Sequence, residues 1–329
     1  MKTINVVGGS GFVGTRLVAR LNSHFDVKII DKNPSFKFPS CFKFSDIRSF
    51  ANLDSIISDN STIINLAAEH RDDVSPKILY DEVNVDGAKN LCNIARKKNI
   101  KKIIFTSSVA VYGLSVHGVD EFGEINPFND YGRTKFEAEK VYKAWQSEEP
   151  MARTLVILRP TVIFGEGNRG NVFNLFNQIA TDKFIMVGDG LNHKSMAYVE
   201  NIVAFIEYSL SFKPGVHIYN YVDKPDFTMN QLVEHVRKLL GKTDDIKIRL
   251  PYWLGFVIGV FFDGIAFLLN KKLSISSIRV KKFCANSIYE SAIYKTGFVP
   301  PVGLMEGIEK LIKYEFGEDH KKEQVFYTE

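Results

Sequence analysis

The feature that most constrains the fold is an alternation of short apolar runs and helical stretches in the first half of the chain. The helical stretches include Phe12–Leu21 and Asp86–Lys97. Parallel strands separated by helices need right-handed crossovers, and these cover both faces of the sheet with helices. The pattern therefore predicts an α/β fold with a doubly wound parallel sheet. The predicted strands are Ile4–Val7, Val27–Ile30, Thr62–Leu66, Ile103–Thr106 and Leu155–Leu158.

A glycine-rich turn with Gly-x-x-Gly-x-x-Gly spacing joins the first predicted strand to the first predicted helix. Glycines in this position permit a tight turn, and they let a diphosphate approach the backbone N–H groups at the helix N-terminus. The arrangement is typical of Rossmann-like dinucleotide-binding folds. We expect this part of the cofactor site to comprise Gly8, Ser10, Gly11, Phe12, Val13 and Gly14.

Asp31 ends the second predicted strand and indicates which dinucleotide binds. A carboxylate at this position accepts hydrogen bonds from both ribose hydroxyls and repels a 2′-phosphate, which favours NAD over NADP. Arg16 and Lys32 lie nearby in the sequence and weaken this preference. The alternative is that Asp31 only caps the turn before Asn33.

The chain of 329 residues is long enough for one large domain or two closely packed units. Beyond about residue 165 the alternation becomes less regular, although Thr228 and Gln231 predict a capping box at the start of a later helix. We expect residues 1–165 to form the NAD-binding domain, with segments near 195–225 returning to it. Residues 166–329 are expected to form mainly the substrate-binding region.

Several segments, taken in order, resemble the extended short-chain dehydrogenase/reductases, specifically the nucleotide-sugar epimerase/dehydratase family with its UDP-sugar 4-epimerases. The clearest are FTSSVAVYG at 105–113 and YGRTK at 131–135. The resemblance covers the first half strongly and the second half more loosely. It implies that the NAD site also includes Asp46, Ile47, Leu66, Ala67, Ala68, Asn84 and Pro160.

Tyr131 and Lys135 are four residues apart and therefore share one face of a helix. A phenol with a pKa near 10 is a poor base at neutral pH. A neighbouring ammonium and a positively charged nicotinamide favour the phenolate, so we expect a lowered pKa for Tyr131. The resemblance further implies that Lys135 holds the nicotinamide ribose and that Ser108 hydrogen-bonds the reacting hydroxyl.

The resemblance implies a UDP-sugar substrate and a homodimer. It places Asn171 and Arg279 at the substrate diphosphate, and it places Lys194 where the family has an arginine. Lysine keeps the positive charge but lacks the bidentate fork of arginine. His70 is expected to border the sugar pocket as a hydrogen-bonding residue. No cluster has the spacing of metal ligands, so no metal is expected.

Val109 and Ala110 stand where the dehydratases of the family carry an acid–base pair, and neither can transfer a proton. A 4,6-dehydratase is therefore disfavoured. The favoured function is 4-epimerisation of a UDP-hexose or UDP-N-acetylhexosamine, in surface-polysaccharide synthesis. One-way reduction of a 4-keto sugar is the alternative. A non-catalytic NAD-binding regulatory protein is a weaker one, because such relatives usually lack the catalytic tyrosine.

The net charge of +4 is too small to indicate a nucleic-acid partner. The three widely spaced cysteines predict a reduced, cytoplasmic protein.

The most apolar stretch, Trp253–Leu269, is interrupted by Asp263 and is short for a transmembrane helix. It favours a buried or partner-covered helix. The alternative is peripheral membrane contact, because basic residues follow at Lys271, Lys272, Arg279, Lys281 and Lys282.

Overall fold

Seven parallel strands form the central sheet of the computed structural model, which describes residues 2–71, 74–114, 116–243, 246, 248–269, 276–317 and 324–328. In spatial order the strands are β3 (Phe42–Phe44), β2 (Asp26–Asp31), β1 (Thr3–Val7), β4 (Thr62–Asn65), β5 (Lys102–Thr106), β7 (Thr154–Pro160) and β11 (Gly215–Tyr221). The strand order reverses between β1 and β4. Doubly wound sheets bind their ligands at such a point, outside the carboxyl ends of the strands.

Both faces of this sheet are buried, which explains why its strands are continuous apolar runs. In β1, Ile4 and Val6 pack into the core on one face, whereas Val7 packs into the core on the other face. The first face is covered by α1 (Phe12–Leu21) and α7 (Val199–Ser209). The second face is covered by α2 (Phe50–Ile56), α4 (Gly87–Lys97) and α5 (Asp130–Ser147); a short α3 (Ile78–Tyr80) and a π-helical segment (Asp81–Asp86) lead into α4.

A smaller region with its own core contains the second sheet. Its strands in spatial order are β12 (Asp223–Thr228), β10 (His193–Tyr198), β14 (Ser287–Tyr289) and β6 (Val116–Val119); β8 (Val162–Phe164) also pairs with β10, and β9 (Met186–Val187) pairs with β13 (Arg249–Leu250). The helices of this region are α6 (Asn171–Ala180), α8 (Met229–Leu239), α9 (Tyr252–Leu269), α10 (Ser277–Cys284) and α11 (Leu304–Gly317). Its core lies among α6, α8 and α11.

The doubly wound parallel sheet expected from the sequence is confirmed, and all five predicted strands are present. The helix at Phe12–Leu21 has the predicted bounds, and both hydrogen bonds of the capping box form between Thr228 and Gln231. The chain passes between the two regions repeatedly, because β11 and α7 belong to the large sheet and β6 belongs to the small one. The assignment of NAD and substrate to separate regions stays a prediction.

Candidate active site

The glycine turn between β1 and α1 is shaped by close backbone approaches that exclude side chains. Gly8 has a φ of +80°, and a Cβ added there would lie 2.6 Å from the backbone nitrogen of Ala67. A Cβ on Gly14 would lie 2.5 Å from the Cα of Gly9. The turn is therefore held against the end of β4 and against its own helix. Only glycine fits at these positions.

The N-terminus of α1 is suited to an anion. Gly11 is the N-cap, no side chain caps the helix, and its first turn contains no acidic residue. The first N–H groups of a helix have no acceptor within it, and they form the positive end of the helix dipole. The Ser10 hydroxyl in this turn is buried and has no hydrogen-bond partner among the described residues. These donors, in a turn that excludes side chains, fit the diphosphate of a dinucleotide.

Asp31 lies beside this turn at the end of β2 and accepts two backbone hydrogen bonds, from Ser10 at 3.1 Å and from Asn33 at 2.9 Å. It therefore caps the turn, which is the alternative role expected from the sequence, and recognition of the ribose by Asp31 stays a prediction. Burial is the main cause that raises the pKa of Asp31, and the two hydrogen bonds oppose the shift. The carboxylate is a fixed acceptor in the position expected of one that reads a ribose.

The two basic residues that could weaken the NAD preference are both engaged elsewhere. Arg16 forms an ion pair with Glu200 at 3.0 Å, and Lys32 forms one with Glu69 at 3.1 Å. Each positive charge is thus already matched by a carboxylate. A 2′-phosphate would meet Asp31 without a free cation from either residue, which strengthens the preference for NAD expected from the sequence.

The remaining predicted cofactor residues line the carboxyl ends of neighbouring strands. Asp46 accepts hydrogen bonds from the guanidinium of Arg48, at 2.8 and 3.0 Å, and this pairing is the main cause that lowers the pKa of Asp46. Ile47 is buried and packs against the site of Gly87, where an added Cβ would lie 2.9 Å from the Ile47 Cδ1. Leu66, Ala67 and Ala68 follow β4 directly, and Pro160 ends β7.

Asn84 joins this edge to the helix that carries Tyr131. Its amide donates to the carbonyl of Glu69 at 3.0 Å and to the hydroxyl of Thr134 at 2.9 Å, and its oxygen accepts from the Glu69 N–H at 2.9 Å. Asn84 is only 3% exposed, so these bonds are shielded from water. It therefore fixes the segment after β4 relative to α5.

Ser108 and Tyr131 come together because the start of α5 packs closely on the turn after β5. Asn129 caps α5 by accepting the N–H of Gly132 at 2.9 Å. Gly132 in turn lies against the carbonyl of Ala110, where a Cβ would clash. Ser108 and Tyr131 share a side-chain hydrogen bond. The predicted catalytic serine and tyrosine are thus neighbours, and Lys135 lies one turn further along α5.

Burial is the main influence on the pKa values of Tyr131 and Lys135 in the chain without a cofactor. Burial raises the pKa of Tyr131, and the hydrogen bond with Ser108 only opposes the shift. Burial also lowers the pKa of Lys135 to about 7, with a small opposing effect from Glu139. Burial thus disfavours the charged form of Lys135, and Lys135 is not among the groups that lower the pKa of Tyr131 in the chain alone. The expected lowering of the Tyr131 pKa depends also on the positively charged nicotinamide and stays a prediction for the NAD-bound protein.

A buried ion pair that was not predicted from the sequence lies behind Ser108, Tyr131 and Lys135. Glu139, one turn after Lys135, accepts from Arg159 at 2.8 and 2.6 Å and from the Ser107 hydroxyl at 2.6 Å. Arg159 also donates to the hydroxyl of Tyr112 at 2.6 Å. Lys135 and Glu139 are four residues apart and therefore share one face of α5. This spacing was the signal in the sequence that Glu139 lies on the same buried side as Lys135. The pair anchors α5 to β7.

On the substrate side, residues 324–328 reach the cofactor turn and His70. Two backbone hydrogen bonds join Phe326 to the loop at 165–170, and its ring lies 5.8 Å from that of Phe12. The Nε2 of His70 donates to the carbonyl of Thr328 at 3.0 Å. The C-terminal segment therefore contacts both the glycine turn and the segment after β4, and the place of His70 in a sugar pocket stays a prediction.

The other three predicted substrate residues lie on separate elements. Asn171 begins α6, and Arg279 is exposed on α10. Lys194 on β10 donates its ammonium to the carbonyls of Lys282 at 3.0 Å and Ala285 at 2.7 Å, at the C-terminal end of α10. Burial lowers the pKa of Lys194 to about 8. Lys194 thus has a structural contact, and diphosphate binding by all three residues stays a prediction.

Val109 and Ala110 follow Ser108 in a short 3₁₀ helix, and neither side chain can act as an eliminating acid or base. Within the described residues, no group of three potential ligands could hold a metal ion. The cysteines Cys41, Cys92 and Cys284 are free thiols.

Comparisons with known proteins agree with this geometry. Residues 4–221 match the model of the NAD dependent epimerase/dehydratase family. The chain is 48% identical, over 98% of both chains, to the N-acetyl-alpha-D-glucosaminyl-diphospho-ditrans,octacis-undecaprenol 4-epimerase of Escherichia coli O157:H7. It is 27% identical to the UDP-glucose 4-epimerase of Vibrio cholerae, over 94% of both. The crystal structure of UDP-glucose 4-epimerase from Thermotoga maritima with UDP-glucose has a TM-score of 0.75 at 20% identity, covering 95% of this chain and 98% of that one.

Proposed function

The chain belongs to the NAD-dependent epimerase/dehydratase family, and we propose that it inverts carbon 4 of an N-acetylhexosamine carried on a diphosphate. The observation that carries this proposal is the 48% identity, over nearly the whole length of both chains, to a 4-epimerase of a lipid-linked N-acetylglucosamine. The carrier proposed here is accordingly a polyprenyl diphosphate. The product would supply surface-polysaccharide synthesis.

NAD is the cofactor, and the residues present fit it. The glycine turn with Ser10 would hold the diphosphate, Asp31 the adenosine ribose, and Lys135 the nicotinamide ribose. When bound, oxidised NAD brings a positive charge and accepts a hydride from carbon 4, which it later returns to the opposite face of the sugar.

Tyr131 moves the proton in this reaction. Its Oη removes the proton of the C4 hydroxyl, and Ser108 orients both groups through its hydroxyl. Burial opposes ionisation of Tyr131 in the chain alone, so its phenolate depends on positive charge beside it. Burial lowers the pKa of Lys135 to about 7 and so limits the positive charge that Lys135 supplies at neutral pH. Asn171, Lys194 and Arg279 would hold the diphosphate while the keto sugar turns.

A uridine diphosphate carrier, as expected from the sequence, is the second candidate. It is supported by likeness to two UDP-glucose 4-epimerases, at 27% identity in sequence and at a TM-score of 0.75 in structure.

A homodimer and a cytoplasmic location, both expected from the sequence, are further parts of the proposal. Light scattering of the purified protein tests the dimer.

The carrier is tested by incubating the purified protein, without added NADH, with polyprenyl-diphosphate N-acetylglucosamine in detergent. A separate incubation contains UDP-N-acetylglucosamine instead. Released sugars are separated by chromatography. We expect N-acetylgalactosamine to form on the lipid carrier with the higher kcat/KM. A higher kcat/KM with UDP-N-acetylglucosamine would assign the nucleotide carrier. Absence of an epimer on either carrier, together with oxidation of added NADH in a separate assay with a 4-keto nucleotide sugar, would assign the ketoreductase.

Tyr131→Phe is expected to lower turnover by at least ~100-fold, because only the proton-transferring oxygen is lost. NAD should remain bound, as measured by the absorbance of released nucleotide. The matched control is Tyr294→Phe, which removes the same atom from a tyrosine that is 64% exposed. Unchanged turnover in Tyr131→Phe would favour the regulatory alternative.

A further inference from the structure

Helix α9 is attached to the body of the protein by small residues. A Cβ on Gly255 would lie 2.5 Å from the Cγ1 of Val187, and a Cβ on Gly259 would lie 2.7 Å from the Cα of Ser277 in α10. Four residues on, Asp263 accepts the Ser277 N–H at 3.1 Å. These residues recur every four positions and therefore form one stripe, which faces α10 and β9.

The opposite face of α9 consists of large apolar side chains in contact with water. Their exposed fractions reach 66% for Trp253, 66% for Phe261 and 82% for Leu268. Asp263 is the single charged residue of the helix, and it is bonded to α10. The exposed set comprises Tyr252, Trp253, Phe256, Val257, Val260, Phe261, Leu268 and Leu269. Large apolar side chains that are exposed together on one helix mark a surface that binds a partner or a membrane.

The described part of the chain does not bury this face, so of the sequence expectations for Trp253–Leu269 a partner surface or a membrane remains to cover it. None of the helices in the described part of the chain is long and apolar enough to cross a membrane. A helix that is held to the protein by small residues on one side and exposes large apolar side chains on the other suits the interface between lipid head groups and acyl chains.

The charge next to this face is positive. α10 packs on α9 through Ser277 and carries Arg279, Lys281 and Lys282 with no acidic residue. Arg279 and Lys281 are exposed. Lys271 and Lys272 lie outside the described residues. Basic side chains beside an apolar face complement anionic lipid head groups. In a symmetric contact between two copies, the same basic helices would be brought together and would repel each other.

We propose that α9 and α10 dock the protein on the surface of an anionic phospholipid bilayer. In this arrangement α9 lies in the plane of the interface, with its exposed apolar face in the acyl boundary and the basic residues of α10 at the head groups. The proposal stands on the exposed face and its charge, and it does not depend on which reaction the site catalyses.

The test is co-sedimentation of the full chain with vesicles of phosphatidylcholine, with or without phosphatidylglycerol, at physiological salt. We expect sedimentation with the anionic vesicles, reduced by high salt. Trp253→Ser combined with Phe261→Ser should weaken vesicle binding at least tenfold. Phe122→Ser combined with Met151→Ser is the matched control, because these side chains are 93% and 89% exposed elsewhere on the surface. Lys281→Gln should weaken binding to anionic vesicles only.

Fluorescence gives a second measurement, since the chain has two tryptophans and Trp145 is fully buried. Brominated lipids should quench Trp253 and leave Trp145 unquenched. The proposal is overturned if the wild type stays in the supernatant, or if the α9 variant sediments equally. It is also overturned if the apolar face instead holds a dimer, seen as a mass halved by the α9 substitutions. NAD content of each variant verifies folding, and detergent assays test the reaction separately.

Discussion

Replacing Lys135 with methionine should stabilise the folded, nucleotide-free protein and at the same time remove most of its activity. Lys135 is 2% exposed, and its Nζ lies 4.3 Å from the centroid of the Phe105 ring. Burial lowers its pKa from 10.5 to about 7. One pKa unit corresponds to about 1.4 kcal/mol, so the charged side chain costs on the order of 4 kcal/mol at pH 7. Methionine fills similar space without this cost.

The pH dependence distinguishes this cause from ordinary repacking. Between pH 7 and 10.5 the unfolded chain keeps the lysine proton and the folded chain has lost it. The unfolded state therefore binds more protons, and the free energy of unfolding of the wild type rises with pH in this window. Below pH 7 the folded protein must bury Lys135 in its charged form, so the full cost of that burial is present there. The advantage of Lys135→Met should shrink by about 2 kcal/mol between pH 7 and 9.

The measurement is urea unfolding of nucleotide-free protein at pH 7, 8 and 9, beside a turnover assay. Lys140→Met is the control, because Lys140 lies on the same helix but is exposed, with its Nζ 2.8 Å from Glu137. It should change the free energy of unfolding by less than about 0.5 kcal/mol. A Lys135→Met protein that is less stable than the wild type, or an advantage that is constant with pH, would refute the reasoning.

Two further substitutions test the cofactor preference and the buried ion pair that anchors α5. Asp31→Ala should narrow the preference for NAD over NADP by about tenfold, measured by titration calorimetry, because the repelling carboxylate is lost; tighter NADP binding by the wild type would show that Asp31 does not read the ribose. Glu139→Gln should lower the free energy of unfolding by about 3–5 kcal/mol in urea, because the 2%-exposed Arg159 loses its counter-charge. A loss below about 1 kcal/mol would mean that the ion pair is not structural.

The sequence was sufficient for the large sheet because local pattern and burial agree there. Strands buried on both faces are continuous apolar runs, and the glycine turn and the Tyr131–Lys135 spacing are short-range signals with one structural solution. The predicted neighbours Ser108 and Tyr131 share a hydrogen bond for the same reason. Each of these features depends on residues a few positions apart, or on a strand order that crossover handedness restricts.

The features that the sequence did not reveal all depend on contacts between distant segments. The Glu139–Arg159 pair joins α5 to β7, and the contact of Thr328 with His70 spans most of the chain. The raised pKa of Tyr131 follows from burial, which a motif does not encode. The sequence left open what covers Trp253–Leu269, because an apolar composition is equally compatible with the protein's own core and with a partner surface or a membrane.

The apolar face of α9 and the proposed diphosphate ligands are connected through one short helix. Lys194 donates to the carbonyls of Lys282 and Ala285 at the C-terminal end of α10. The other end of the same helix packs on α9, where Ser277 contacts Gly259. Arg279 lies between these two contacts. A bilayer against α9 would therefore lie within one helix of the residues proposed for the diphosphate. A polyprenyl diphosphate places its charged group at the membrane surface, so a lipid carrier and an exposed apolar helix beside its binding residues are mutually consistent.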